Sequence, residues 1–344
     1  MGKKRVTLTD IANELNIDVS TVSKALKKHP KISDVTIKKV SKVARRLNYR
    51  PNDIATALVK GRSNLIGVMV PHTDENFFAS AIRGIEEVAK KKGYNITIFQ
   101  SNDDTSDEKS NIETMYRARV DGIIASHAME THEFGHYQDI LDQDIPLVLF
   151  DRFNDAIDSD VVAIDDFKGA YKAVSHLIDQ GCTRIAHIAG QLSVHIYKER
   201  YRGYKQALED HGIPNEENLV VESDMSLEGG RKLTLTLLNN RKKPNAIFAS
   251  NDYTALGAIQ FLQESNIDIP EEVAVVGFSN EAFTSYVTPT ISSIEQHSRK
   301  MGKIAAQHLL DQISGSTESS SAKRPSQKTI LTPELIIRES SKKK

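Results

Sequence analysis

The chain has 344 residues, 39% of them hydrophobic, with one cysteine and a formal net charge of -1. One cysteine excludes an intramolecular disulfide. No apolar run approaches the ~18 residues of a membrane span, and the start, MGKKRVTLTDIANEL, lacks the apolar stretch of a secretory signal, so a cytoplasmic protein is expected. Charge is unevenly spread: residues 1–62 hold 15 Lys and Arg against 5 Asp and Glu, while the other 282 hold 30 against 41. A module of net +10 ahead of a body of net -11 points to a polyanion, and for a module of this size to nucleic acid.

In chain order, residues 7–47 read as three short helices. Thr9 is the expected N-cap of the first, with Leu8, Ile11, Ala12 and Leu15 at helical spacing. Asn16–Ile17 breaks the pattern, and Asp18 opens a second helix from Val19 to about Lys27. Ser33 or Asp34 opens a third, through Leu47, which Pro51 terminates. With Val22 taken as inward, Val19, Ala25 and Leu26 fall within about 60° of it. Ser20, Lys24 and Lys27 fall within about 40° of the opposite side, and Thr21 and Ser23 flank them. One helix docks its apolar side and presents short polar and cationic side chains outward, as a major-groove reader requires.

From Leu65 onward, Val- and Ile-rich runs alternate with amphipathic helices: LIGVMVP, NITIFQSN, VDGIIASH and IPLVLFD, then after VVAIDD a second series, RIAHIAG, LVVESD, NAIFASND and VAVVGFS. This rhythm predicts an α/β body of two doubly wound parallel-sheet subdomains, with a binding crevice beyond the carboxyl ends of the strands. The expected domains are 1–62 and 63–344. Within the latter, one lobe spans about 63–165 plus 296–328 and the other about 166–293 plus 329–344. SGSTESSSAKRPSQK is expected to be a flexible polar loop and SSKKK a frayed tail.

Residues 8–68, LTDIANELNIDVSTVSKALKKHPKISDVTIKKVSKVARRLNYRPNDIATALVKGRSNLIGV, closely resemble the lactose- and purine-repressor (LacI/GalR) family. The likeness continues through FDRF, VVAIDDFKGAYKAVSHLIDQGCTRIAHIAG, ASNDYTALGA, VAVVGFSN and TPTISSIEQ. It implies a helix-turn-helix headpiece, a hinge helix and a two-lobed core like that of periplasmic sugar-binding proteins. It further implies a homodimer on a pseudo-palindromic operator in double-stranded DNA, with transcription controlled by a small-molecule effector, in a protein that is no enzyme. By resemblance, Val19, Ser20 and Lys24 read bases and Thr21 and Ser23 contact phosphates, with Thr9 counted in the same set. Asn52 to about Val59 matches the hinge, including Asn52, Ala55 and the minor-groove wedge Leu58. IATAL is too short and small-faced to be helical alone, and two copies packed on DNA would offset that cost.

Candidates for the crevice sit at strand ends: Phe77 and Phe78 after the first core strand, where the family stacks a ring, Asp151, Arg200 on the helix after RIAHIAG, then Asn251 and Asp252. One phenylalanine is expected to face the core, and Asp252 is as readily a helix cap as a ligand contact. Met225 and Asn280, beside Ser279, complete the set. Both Met225 and Ser279 depart from the sugar-binding pattern, and Val194 replaces the arginine of purine-responsive members. Fork-shaped donors, carboxylates and an aromatic platform suit a hydroxylated, sugar-like molecule.

Other chemistry finds no motif. His127, His132 and His136 lack the carboxylate and cysteine companions of a metal site and read as solvated helix histidines. There is no phosphate-binding glycine loop and no nucleophile elbow, so neither cofactor nor catalytic residues are expected. A solute-binding protein would carry an export signal and no basic headpiece, and a sugar-acting enzyme an acid/base pair. A ligand-independent architectural DNA binder with a degenerate core is the alternative.

Overall fold

A computed structural model describes residues 6–50, 62–315 and 325–343. Asn52, Ala55 and Leu58 of the expected hinge, and the middle of the Ser-rich stretch, lie outside these residues. The chain divides into two compact units, one ending at Ser63 and the other beginning at Asn64.

The small unit has helices Leu8–Leu15, Val19–Leu26 and Asp34–Arg46. Ile11, Ala12, Val22, Ala25, Val40 and Ala44 form its core. The first helix starts differently from expectation. Thr7, not Thr9, is the N-cap, in a capping box: Asp10 N–H donates to Thr7 Oγ1 at 3.3 Å and Thr7 N–H to Asp10 Oδ2 at 2.7 Å. Thr7 wins because Asp10 stands three residues on, where its carboxylate reaches back. Asn16, with φ 51°, closes the helix in the left-handed region that asparagine tolerates, and so makes the tight turn. Asp18 stands at the next N-cap without a side-chain cap bond, whereas Ser33 accepts from Thr36 N–H.

The large unit contains two six-stranded sheets. The first has order β11-β5-β4-β3-β1-β2, from β1 (Leu65–Val70), β2 (Asn95–Gln100), β3 (Gly122–Ala125), β4 (Leu147–Phe150), β5 (Asp160–Ile164) and β11 (Lys328–Leu331), all parallel. The second has order β12-β10-β9-β8-β6-β7, from β6 (Ile185–Ala189), β7 (Val220–Glu222), β8 (Ala246–Ala249), β9 (Ala274–Ser279), β10 (Ser292–Glu295) and β12 (Glu334–Ile336). Only β12 runs antiparallel, against β10. Helices cover both faces, so central strands such as LVLF and AIFA are buried at every position. On the first sheet, helices Asn76–Lys91 and Ser298–Gly315 cross at backbone contact. A Cβ on Gly84 would stand 2.2 Å from Arg299 O, and one on Gly302 2.0 Å from Ala81 O.

Three details correct the sequence reading. Strand β11 runs to Leu331 in the first sheet, so the final crossing between lobes falls between Leu331 and Glu334, not at 328/329. Ser340 and Ser341 are fully buried rather than frayed: Ser340 Oγ donates to Val275 O at 2.7 Å, and Val275 N–H to Ser340 O at 2.7 Å. Of the three histidines only His132 is exposed. His127 is buried in a loop, and His136 Nε2 lies 2.7 Å from Oε1 of the buried Glu108.

Candidate functional site

On helix Val19–Leu26, Val22 and Ala25 are buried while Ser20, Lys24 and Lys27 are exposed and Thr21 and Ser23 half-buried. Thr9 is exposed too. Val19, expected on the docking side, is 41% exposed: it opens the helix beyond the reach of the first helix's core. This stretch therefore offers the Val19 methyl pair, three hydroxyls (Ser20, Thr21 and Ser23) and two ammonium groups (Lys24 and Lys27), groups of the kind that contact base edges, thymine methyl groups and phosphates.

In the large unit a cavity of about 420 Å3 lies between the lobes. Its residues follow the carboxyl ends of strands in both sheets: His72, Asp74 and Glu75 after β1, Asp103 after β2, Asp151 and Arg152 after β4, Tyr197 and Arg200 after β6, Met225 after β7, Asn251 and Tyr253 after β8. The backbone bends sharply there, with φ 61° at Asp103, 60° at Asp151, 64° at Met225 and 117° at Ser279, all non-glycine lining residues. Such conformations hold only where the surroundings over-determine them, and they aim side chains that a regular strand end would not.

Among the sequence candidates, Phe77, Phe78, Asp151, Arg200, Met225 and Asn251 line the cavity. Both phenylalanines touch it, and Phe78, fully buried in the core of the first lobe, is the one that faces the core as expected. Their rings meet edge-to-face at 5.0 Å, and Phe78 also packs on Phe150 at 6.3 Å. Asp252 and Asn280 do not line it. Asp252 is fully buried and accepts from Ser293 Oγ at 2.6 Å and Glu281 N–H at 2.7 Å, and burial pushes its carboxyl up to about 6. The cap of helix Asp252–Glu264 is Asn251, whose Oδ1 accepts from Thr254 N–H at 2.8 Å while its Nδ2 donates to Met225 O at 2.8 Å. Asn280 is held away by Glu295 and Arg338, at 2.7 and 2.8 Å.

Arg200 is 3% exposed, with Nε donating to Asp166 Oδ1 at 2.8 Å, Nη1 to Ser250 O at 2.6 Å, and its guanidinium 3.7 Å from the Phe278 ring centroid. Arg152 is equally enclosed and pairs with Asp103. Sequence reasoning passed over Arg152, Asp103, His72, Glu75 and Tyr197. Burial raises the carboxyls of Glu75 and Asp151 above the ordinary range, against the pull of Arg152 on both. The arrangement presents aromatic faces, carboxylate acceptors and oriented donors in one enclosure, which matches the two faces of a polyhydroxylated ring.

A family model described as bacterial regulatory proteins, lacI family, matches residues 7–52, and one described as a periplasmic binding protein-like domain matches residues 174–341. The transcriptional regulator DegA of Bacillus subtilis (strain 168) is 31% identical over 98% of this chain and 98% of its own. Catabolite control protein A of Priestia megaterium is 32% identical over 92% of this chain and 95% of its own. Among solved structures, a complex of the transcriptional regulator CelR with cellobiose has a TM-score of 0.74 at 25% identity, covering 98% of this chain and 100% of that one. A lac repressor dimer bound to operator and the anti-inducer ONPF has a TM-score of 0.86 at 24% identity, covering 98% and 99%, a likeness of fold. A helix-turn-helix unit joined to a two-lobed core with a cavity defines a DNA-binding transcription regulator. The chain belongs to the LacI family of these bacterial regulators.

Proposed function

We propose that the chain represses transcription as a homodimer on a two-fold symmetric operator, and that a sugar-like molecule in the cavity between the lobes sets its operator affinity. The observation that carries the effector is the cavity itself. It is formed from both lobes, falls within the ~300–1,000 Å3 of small-molecule sites, and joins aromatic walls to hydrogen-bonding groups. A degenerate core would have lost that enclosure. Related proteins carry the matching names: a ribose operon repressor is 30% identical over 97% of this chain, and the structural neighbour CelR holds cellobiose. Val19, Ser20 and Lys24 are the base-reading set, with Thr21 and Ser23 on phosphates. Dimerisation follows from affinity: one headpiece buries too little DNA surface for tight specific binding.

The test is a thermal-shift panel of sugars and sugar derivatives on the full chain, followed by operator titration with each stabilising compound. A compound that stabilises the protein and changes operator affinity supports the reading. A panel with no stabilising compound, or stabilisation with operator affinity unchanged, contradicts it.

A further inference from the structure

The two cavity arginines are already engaged by the protein's own carboxylates. Arg200 donates to Asp166 at 2.8 Å. Arg152 donates to Asp103, whose carboxylate gathers further donors: Oδ1 accepts from Met129 N–H at 2.9 Å, and Oδ2 lies 3.2 Å from His72 Nε2. Asn102 and Asp103 sit consecutively at φ 52° and 61°, which turns the Asp103 side chain into this cluster. Four other carboxylates, those of Asp74, Glu75, Asp151 and Asp224, line the same cavity.

We infer that Asp103 is a specificity-determining residue that closes the cavity to anions, so that its ligand is a hydroxylated molecule without negative charge and not a phosphate ester or carboxylate. This deepens the effector reading above and rests on it. A phosphate entering the cavity would meet guanidinium groups whose charge is neutralised at hydrogen-bond distance and carboxylates that repel it in a partly desolvated space, where such repulsion is strong. A hydroxyl group meets the opposite situation. Carboxylates accept its proton, and the buried Arg152 Nε and Gln296 Oε1, which have no hydrogen-bond partner among the described residues, supply a donor and an acceptor that call for no ligand charge. Glycosidic or amine-bearing sugars fit these terms, and sugar phosphates do not.

Asp103→Asn tests this, because asparagine tolerates the same left-handed backbone and keeps an acceptor for Met129 while freeing Arg152. Inorganic phosphate is titrated into full-length wild type, Asp103→Asn, Arg152→Gln and the double variant at constant ionic strength. Phosphate bound by the basic headpiece is common to all four, so differences report the cavity. The expected result is identical binding by wild type and Arg152→Gln, with at least about tenfold tighter binding by Asp103→Asn that disappears in the double variant. A phosphate site in wild type that Arg152→Gln removes overturns the inference, and does so even if Asp103→Asn fails to fold. So does a folded Asp103→Asn with no gain, or a gain that survives in the double variant. None of these outcomes depends on whether a sugar changes operator affinity, so the two readings fail separately.

Discussion

The backbone N–H of Phe77 donates to Oε1 of Glu281 at 3.1 Å, tying together positions 204 residues apart and belonging to different lobes. Phe77 is in the first turn of helix Asn76–Lys91, whose own N-cap residue, Glu75, makes no cap bond. The second lobe thus supplies the cap, from a loop whose Glu281 N–H is fixed by Asp252 at 2.7 Å. Glu281 Oε2 is buried without a hydrogen-bond partner among the described residues.

That geometry makes the link pH-sensitive. Burial, and then the nearby charge of Asp252, push the Glu281 carboxyl up to about 7, with Glu75 adding to the effect. Folded Glu281 holds its proton more tightly than the unfolded residue, so its stabilising contribution is complete below the ordinary carboxylate range and is lost as pH rises through about 7. The buried histidines His127, His176 and His187 and the half-buried His195, whose values are lowered, act in the opposite direction. The difference between wild type and Glu281→Gln isolates Glu281. From about pH 5 to about pH 7.5 the advantage of wild type should fall by about 1–2 kcal/mol, allowing for partial screening, as read by urea unfolding. A difference independent of pH contradicts this assignment.

Arg200, a crevice candidate from the sequence, lines the cavity. Its bonds to Asp166 and Ser250 O show that it also holds the core. Arg200→Ala leaves Asp166 buried without its partner and should cost about 3–5 kcal/mol of stability. Arg200→Met with Asp166→Asn should recover more than half of that loss. Chemical denaturation of the single and double variants measures both, and a single variant as stable as wild type contradicts the account.

Lys24→Ala should cost about 1–3 kcal/mol on the specific operator and far less on random duplex, because its exposed ammonium lies beside Ser20 on the face proposed to read bases. Lys38, exposed on the third helix, should behave differently: Lys38→Ala weakens binding to both duplexes alike and makes the salt dependence shallower. Competition binding with the two duplexes at several salt concentrations separates them. Equal loss on both duplexes for Lys24→Ala removes it from the base-reading set.

Much of this was legible in the sequence because long periodic segments carry their own geometry. The alternation of helices with runs such as LIGVMV and VAVVGF shows through in both sheets. Strands β10, β11 and β12 did not show. SSIE buries two serines whose hydroxyls find partners only in the fold, Ser293 on Asp252 and Ser292 on Arg338 O, while KTIL and ELI are too short and exposed to declare a period. The exposed and buried sides of helix Val19–Leu26 were legible from helical spacing, apart from Val19. In the cavity, the strand-end rule located Asp151 but not Asp103. Within SNDDTSD nothing local separates Asp103 from Asp104, yet Asp104 caps helix Thr105–Arg117 while its neighbour turns inward at φ 61°. Arg152 carried a signal, a guanidinium one residue beyond the apolar run LVLF.

The most direct test of the central claim is reciprocal linkage between operator and cavity ligand. Full-length protein is titrated onto a labelled operator fragment with and without the stabilising sugar, and the sugar is titrated with and without operator. The same is done for Asp151→Asn, a substitution that keeps the shape and the left-handed backbone at φ 60°. The account predicts that the factor by which sugar changes operator affinity equals the factor by which operator changes sugar affinity, a tenfold effect being about 1.4 kcal/mol in each direction. It also predicts that Asp151→Asn binds operator as wild type does while binding sugar about tenfold more weakly. Operator affinity that stays the same at saturating sugar, or an undiminished sugar affinity in Asp151→Asn, would contradict it.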